Sequence, residues 1–265
     1  MRKIKEAPVI VMNFSGVYHL EQFADNEDFI HVDCSDIPGT DCILSAESAQ
    51  IVNERISAFD ARGIHFIDSG DYHYMTRLWT DKIKSPFTLV LIDHHTDMQP
   101  SKVPGYLTCG DWVNSVVAHN KWLRKVLIIG VPEGKAQEVS DACRKKVQFV
   151  SRQQCNDLIA GHGHLDIEGD IYLSIDKDAL SSDCAVTNWD QGEISLTDLK
   201  KLVFLFVSKE STIGIDVCGE FPVMKSLFEE ERAAQVDNRA NEAILQAAAV
   251  GLQSQRNHEH RKRCK

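Results

Sequence analysis

Short apolar runs alternate along this chain with longer segments in which apolar residues recur at helical spacing. The runs Val9–Asn13, Ile64–Asp68, Phe87–Asp93, Val126–Val131, Val147–Val150, Ile171–Asp176 and Thr212–Val217 are rich in Val, Ile, Leu and Phe. Most lack polar alternation, which predicts strands covered on both faces. Between them, Ala46–Arg62, Trp112–Asn120, Lys135–Lys146, Leu196–Lys209 and Asn238–Gln253 read as helices. In the last, Ala240, Ile244, Leu245, Ala248 and Leu252 form a stripe that serves packing. The alternation predicts an α/β fold of three layers, αβα, with a mainly parallel sheet. No repeat, low-complexity stretch or Pro/Ser linker divides the sequence, so residues 1–265 read as a single domain.

Composition narrows the function more than the fold. With 43% hydrophobic and 26% charged residues the chain reads as globular rather than disordered. Its net charge of −10 argues against a nucleic-acid partner, which needs a basic face. The basic tail (Arg261, Lys262, Arg263, Lys265) reads as a solvated end. No apolar stretch approaches the roughly 18 residues of a membrane span. The opening MRKIKEAPVIVMNFSG reads as a first strand rather than a signal peptide. Eight cysteines without a CxxC pair predict reduced thiols in a cytoplasm, no disulfide framework and no cysteine-type zinc site.

Ligands of open parallel sheets gather at the carboxyl ends of the strands. Three strands end there in hard donors: Asp68-Ser69-Gly70-Asp71-Tyr72-His73, Asp93-His94-His95-Thr96-Asp97 and Ser174-Ile175-Asp176-Lys177-Asp178. In extended chain alternate side chains share a face, so Asp93, His95 and Asp97 point one way, as do Asp176 and Asp178. Four carboxylates at one buried edge are costly unless positive charge joins them. Two divalent cations match that charge, and carboxylate with imidazole favours Mn²⁺ or a similar hard ion.

These motifs resemble the ureohydrolase family (arginase, agmatinase and formiminoglutamase), which carries GGDH, DxHxD and SxDxD segments in this order. The resemblance runs from about Ile64 to Pro222. It implies an arginase-like fold and two metal ions, one held by His73, Asp93, Asp97 and Asp176, the other by Asp93, His95, Asp176 and Asp178. Because Tyr72 is inserted in the first motif, Asp71 and His65 are alternatives to His73. The implied reaction is hydrolysis of a linear non-peptide C–N bond, guanidino, amidino or formimino, through a metal-bridging hydroxide, with Asp97 taking its proton. The implied partners are a small-molecule substrate and further copies of the chain.

The resemblance also assigns Glu220, in Gly214–Pro222, to the substrate guanidinium, with Gly219 inserted relative to the usual spacing. Trp189, in Thr187–Gly192, stands where the family has an active-site loop, as a pocket wall or a packing residue. Cys109 takes the place of a family histidine, removing a proton-shuttling imidazole, and Lys102 is expected near the entrance. His94, on the alternate face, reads as a supporting or core residue, and the remaining cysteines as small core residues. A one-metal deacetylase-like hydrolase and a metal-stabilised binding protein without catalysis are the alternatives.

Overall fold

The structure, a computed structural model, describes residues 8–101, 103–208, 212–221 and 226–263, with backbone alone at 138 and 256–263. Lys102 and the side chains of the basic tail lie outside the described residues. The strands are β1 (Val9–Asn13), β2 (Ile30–Asp33), β3 (Ile43–Leu44), β4 (Gly63–Phe66), β5 (Phe87–Ile92), β6 (Leu107–Thr108), β7 (Leu123–Ile129), β8 (Val147–Val150), β9 (Asp170–Asp176) and β10 (Thr212–Cys218). The helices are α1 (Ala46–Arg55), α2 (Met75–Thr80), α3 (Trp112–His119), α4 (Asp141–Arg144), α5 (Arg152–Ile159), α6 (Leu196–Val207) and α7 (Leu227–Arg263).

Eight strands form a parallel sheet in the order β2-β1-β4-β10-β9-β5-β7-β8. Successive residues of its central strands feed two different cores. Val90, Ile92, Leu173 and Ile175 pack with Leu202, Phe206, Ala240 and Ile244 of α6 and α7. Leu89, Leu91, Val126 and Ile128 pack with Val52, Met75, Trp79, Trp112 and Val116 of α1, α2 and α3. This explains the unbroken apolar runs: a strand between two helical layers has no solvent face for polar residues. Serine caps begin the helices around it. Ser45 Oγ accepts from Ser48 N at 3.0 Å, Ser195 Oγ from Asp198 N at 3.1 Å, and Ser151 forms a capping box with Gln154.

The three-layer expectation holds, and its seven strands fall within two or three residues of the observed ones. The helices differ more. α1 stops at Arg55, and the segment from Lys135 divides into a 3₁₀ turn and α4 at Ser140, whose extended backbone caps α4. α7 runs 37 residues and begins well before Asn238. No helix among the described residues is long and apolar enough to cross a membrane.

Candidate metal centre

Register brings the donors together. β5 and β9 pair with Ile92 opposite Ile175, so Asp93 and Asp176 leave the sheet side by side. β9 and β10 pair with Asp176 opposite Cys218. His73 arrives from β4 through the 3₁₀ turn Gly70–Tyr72, which takes up Tyr72 and stacks its ring on Phe14 at 4.4 Å. Ser174 Oγ, 3.0 Å from His73 Nε2, fixes the ring from behind. His73 Nδ1 then faces three carboxylates: Asp97 Oδ2 at 3.0 Å, Asp93 Oδ2 at 3.3 Å and Asp176 Oδ2 at 3.4 Å. Asp97 sits at φ 48°, and its carboxylate accepts Trp112 Nε1 at 2.6 Å from the start of α3. Beside this group His95 Nδ1 lies 2.7 Å from Asp178 Oδ2 and 3.7 Å from Asp93 Oδ1. Asp178 is held over the cluster by His94 N at 2.9 Å, while its own N–H donates to Asp176 Oδ1 at 2.8 Å.

Among the described residues, the only cationic groups this cluster has of its own are its two imidazoles, His73 and His95, both pushed above their ordinary value although burial works against it. Burial, then the Asp178 and Asp97 carboxylates, push the Asp93 carboxyl well above its ordinary range. Burial and Asp176 raise Asp178 to about 6. Asp176, although burial works against its ionisation, is kept below its usual value by the hydrogen bond from His73. Asp93 Oδ2 is buried without a well-formed hydrogen bond. No lysine or arginine among the described residues pairs with any of the four aspartates. Donors about 3.0–3.4 Å apart are what a cation with bonds of about 2.1 Å requires at octahedral or tetrahedral angles. His73, Asp93 and Asp97 form one convergent set, and Asp93, His95 and Asp178 another. Carboxylates with imidazole therefore fit a pair of divalent ions.

Other expected residues have different tasks. Asp71 accepts Trp189 Nε1 at 3.0 Å and Asn188 Nδ2 at 2.8 Å, mounting the 187–192 loop over the site. Gly70 makes room for this: a Cβ there would lie 2.8 Å from the indole. His65 is buried in the sheet, stacked on Trp79 at 3.8 Å, away from the cluster. His94 gives only its backbone N–H to the cluster.

Glu220 departs from the role expected of it. It is fully buried, binds Lys177 Nζ at 2.5 Å and Asn241 Nδ2 at 2.9 Å, and is not among the residues that line the cavity above the aspartates. The cause lies in Gly219, whose φ of 89° turns the chain where a Cβ would stand 2.5 Å from Asp176 Oδ1. Cys218, expected to be a plain core residue, donates to Asp176 Oδ2 at 3.1 Å.

A cavity of about 360 Å³ opens above the aspartates. Its walls include Trp189, Cys42, Cys109, Gln99 and Thr108. A larger hollow, of about 780 Å³, lies against α7 away from the strand ends and contains none of the motif residues.

The family model of the arginase family matches residues 2–225. A Thermotoga maritima protein described as uncharacterized is 33% identical over 158 residues, 60% of this chain. That match spans 58% of the relative's own length. Among solved structures, a hypothetical agmatinase from Burkholderia thailandensis superposes with a TM-score of 0.59 at 19% identity, over 97% of this chain and 89% of that one. Entamoeba histolytica arginase, solved with L-ornithine, gives 0.64 at 12% identity, over 93% and 99%. A Trypanosoma cruzi formiminoglutamase variant with Mn²⁺ gives 0.65 at 13% identity, over 95% of each chain. Such identities speak for the shared fold, whereas the family match covers most of the sequence. This chain belongs to the arginase family.

Proposed function

We propose that the protein is a binuclear metal-dependent hydrolase of a linear, non-peptide C–N bond in a guanidino, amidino or formimino compound. His73, Asp93, Asp97 and Asp176 would hold one ion, and Asp93, His95, Asp176 and Asp178 the other. Mn²⁺ is the ion proposed, in keeping with the donor set and with the formiminoglutamase relative. A pair of bound divalent ions supplies an acidified water at neutral pH.

The chain's own residues do the rest. Asp97, held by the Trp112 indole, accepts a proton from the attacking water and returns it to the leaving amine. Trp189 closes one side of the cavity beside His95, at 6.0 Å between rings. Glu220, two residues past β10, is paired with Lys177, and beyond the aspartates and His95 the described residues of the cavity wall are neutral. The observation that carries this reading is four buried aspartates and two imidazoles converging with no lysine or arginine among the described residues to neutralise them.

The test is metal content and turnover. Protein purified without chelator and loaded with Mn²⁺ is expected to hold two ions per chain and to hydrolyse a member of a guanidino, amidino and formimino panel. Asp178→Ala and Asp97→Ala should each lower the metal count. No retained metal would refute the proposal. A single ion insensitive to both substitutions would favour a deacetylase-like site. Two ions with no turnover across the panel would leave a binding protein.

A further inference from the structure

The six proposed ligands are all oxygen or nitrogen donors, yet a sulfur atom stands among them. Cys218 ends β10 directly opposite Asp176 on β9, so strand register, not a loop, sets its place. Its Sγ lies 3.1 Å from Asp176 Oδ2, and that same oxygen is 3.4 Å from His73 Nδ1. Nitrogen, oxygen and sulfur of His73, Asp176 and Cys218 all fall within 4.8 Å of one another, and all three residues are buried. The 3.1 and 3.4 Å separations are of the size expected between neighbouring donors of one cation, with bonds of about 2.1 Å to oxygen and nitrogen and about 2.3 Å to sulfur. On the His73 side the sulfur joins through His73 and Asp176, while His73 also converges with Asp93 and Asp97; on the His95 side the convergent set is Asp93, His95 and Asp178, with no sulfur. The other cysteines near the site are elsewhere: Cys42 and Cys109 sit in the cavity wall, and Cys42 Sγ bonds Asp71 at 3.2 Å.

We propose that Cys218 Sγ is a ligand of the cation on the His73 side. The two ions then occupy chemically different sites. The His73 side, with sulfur, nitrogen and carboxylate, prefers a thiophilic ion such as Zn²⁺, Co²⁺ or Fe²⁺, while the His95 side, with oxygen and imidazole, suits Mn²⁺. Ligation breaks the S–H bond, forms the sulfur–metal bond and releases one proton to solvent. The proposal rests on the binuclear reading above and goes beyond it in naming a seventh ligand and a metal asymmetry.

Cobalt reports on this without any substrate. Metal-free full-length protein is titrated with Co²⁺ while binding and near-ultraviolet absorption are followed, and the zinc-loaded protein is studied by X-ray absorption. The expected result is an intense sulfur-to-cobalt charge-transfer band carried by one of two bound ions, and a sulfur scatterer at about 2.3 Å from zinc. Cys218→Ser should lose the band while still binding cobalt, and the Cys42→Ser/Cys109→Ser double variant should keep it. Should Cys218→Ser fail to fold, the wild-type scatterer and the double variant decide the matter. Two bound ions without band or sulfur shell overturn the Cys218 assignment and leave the binuclear site standing, as does a band lost in the double variant. Failure of the protein to bind any cobalt overturns both proposals.

Discussion

Two groups of buried carboxylates lie on either side of the segment Asp176–Asp178, and they are neutralised in opposite ways. Asp176 and Asp178 turn toward Asp93 and Asp97, where two imidazoles are the only nearby cationic groups among the described residues. Lys177, between them in sequence, turns the other way into a second group formed by Glu220, Asp237 and Glu21. There the ammonium lies 2.5 Å from Glu220 and 3.7 Å from Asp237, and Asn241 bridges Glu21 and Glu220 at 2.8 and 2.9 Å. Burial and the Glu220 carboxylate push Glu21 up to about 10, so it stays a neutral acid at physiological pH. The second group is closed and carries its own cation. The first opens through Asp97, His95, Asp176 and Asp178 into the cavity. Crowded acids alone therefore do not mark a metal site; crowded acids whose companions are imidazoles rather than a lysine or arginine, facing a cavity, do.

The largest effect should come from removing the built-in cation. Lys177→Met leaves Glu220 and Asp237 buried without it, and losing one partner of such a group costs about 3–5 kcal/mol. Chemical denaturation of the metal-free protein is expected to show that loss. A cost below about 1 kcal/mol would mean that the second group is held by Asn241 and protonation, and the contrast drawn above would fail.

Next is the effect of supplying the missing cation to the first group. Ions that bind the folded state alone stabilise it by about 4 kcal/mol at a thousandfold excess over the dissociation constant. Mn²⁺ should raise the melting temperature, a chelator should reverse the rise, and Asp176→Ala, which touches both proposed sites, should abolish it. Lys177→Met, if folded, should keep the response, because its ammonium faces the other group. An unchanged melting temperature in wild type would place the two groups on the same footing.

The second group should also set a pH dependence that metal does not remove. Burial raises Asp237 to about 7 although Lys177 acts the other way, and Glu21 rises to about 10. Lys177, Glu220, Asn241 and Tyr18 are the charged and polar groups around them. In both cases the folded state holds a proton that the unfolded chain releases above about pH 4. Their contribution is greatest at the acid end. Asp237's share is lost as pH rises to about 7, with a slope of up to about 1.4 kcal/mol per pH unit. Denaturation of Mn²⁺-saturated protein between pH 5 and 8 should show this fall, and Asp237→Asn should make it shallower, leaving the share of Glu21. Stability that rises with pH in that window would contradict the closed group.

The two groups also differ in how far the sequence reveals them. Apolar runs that stop at Asp93 and Asp176 expose the first group, because a strand buried on both faces tolerates polar residues only where it ends. The same reasoning finds the sheet, but not β2, whose His31 and Asp33 are exposed at the sheet edge, nor the six-residue α2. The second group leaves no local signal. Lys177 reads as the spacer of a DxD motif, and its partners come from 43 and 60 residues away, on different elements. The partners of Glu220 are hidden for the same reason: a strand-end glutamate looks free until Lys177 and Asn241 are placed beside it. Cys218 is visible only once β9 and β10 are put in register.

The smallest expected effect concerns the rim between cavity and cluster, and it separates ligand from scaffold. Asp71 belongs to the first motif and is the sequence alternative to His73, yet its oxygens accept from Asn188 and Trp189 of the 187–192 loop and from Cys42 and Ser69. Asp71→Ala should therefore leave two ions bound while freeing Trp189 and Asn188. Losing the two of its hydrogen bonds that hold the loop costs about 1 kcal/mol, or roughly a fivefold rise in KM with little change in kcat. His73→Ala should do the reverse, removing an ion and with it turnover, because its Nδ1 is the one imidazole nitrogen that faces three of the aspartates. If Asp71→Ala lost an ion and His73→Ala did not, the inserted Tyr72 would have shifted the ligand two residues earlier. The cluster around His73 would then be structural, as the one around Lys177 is.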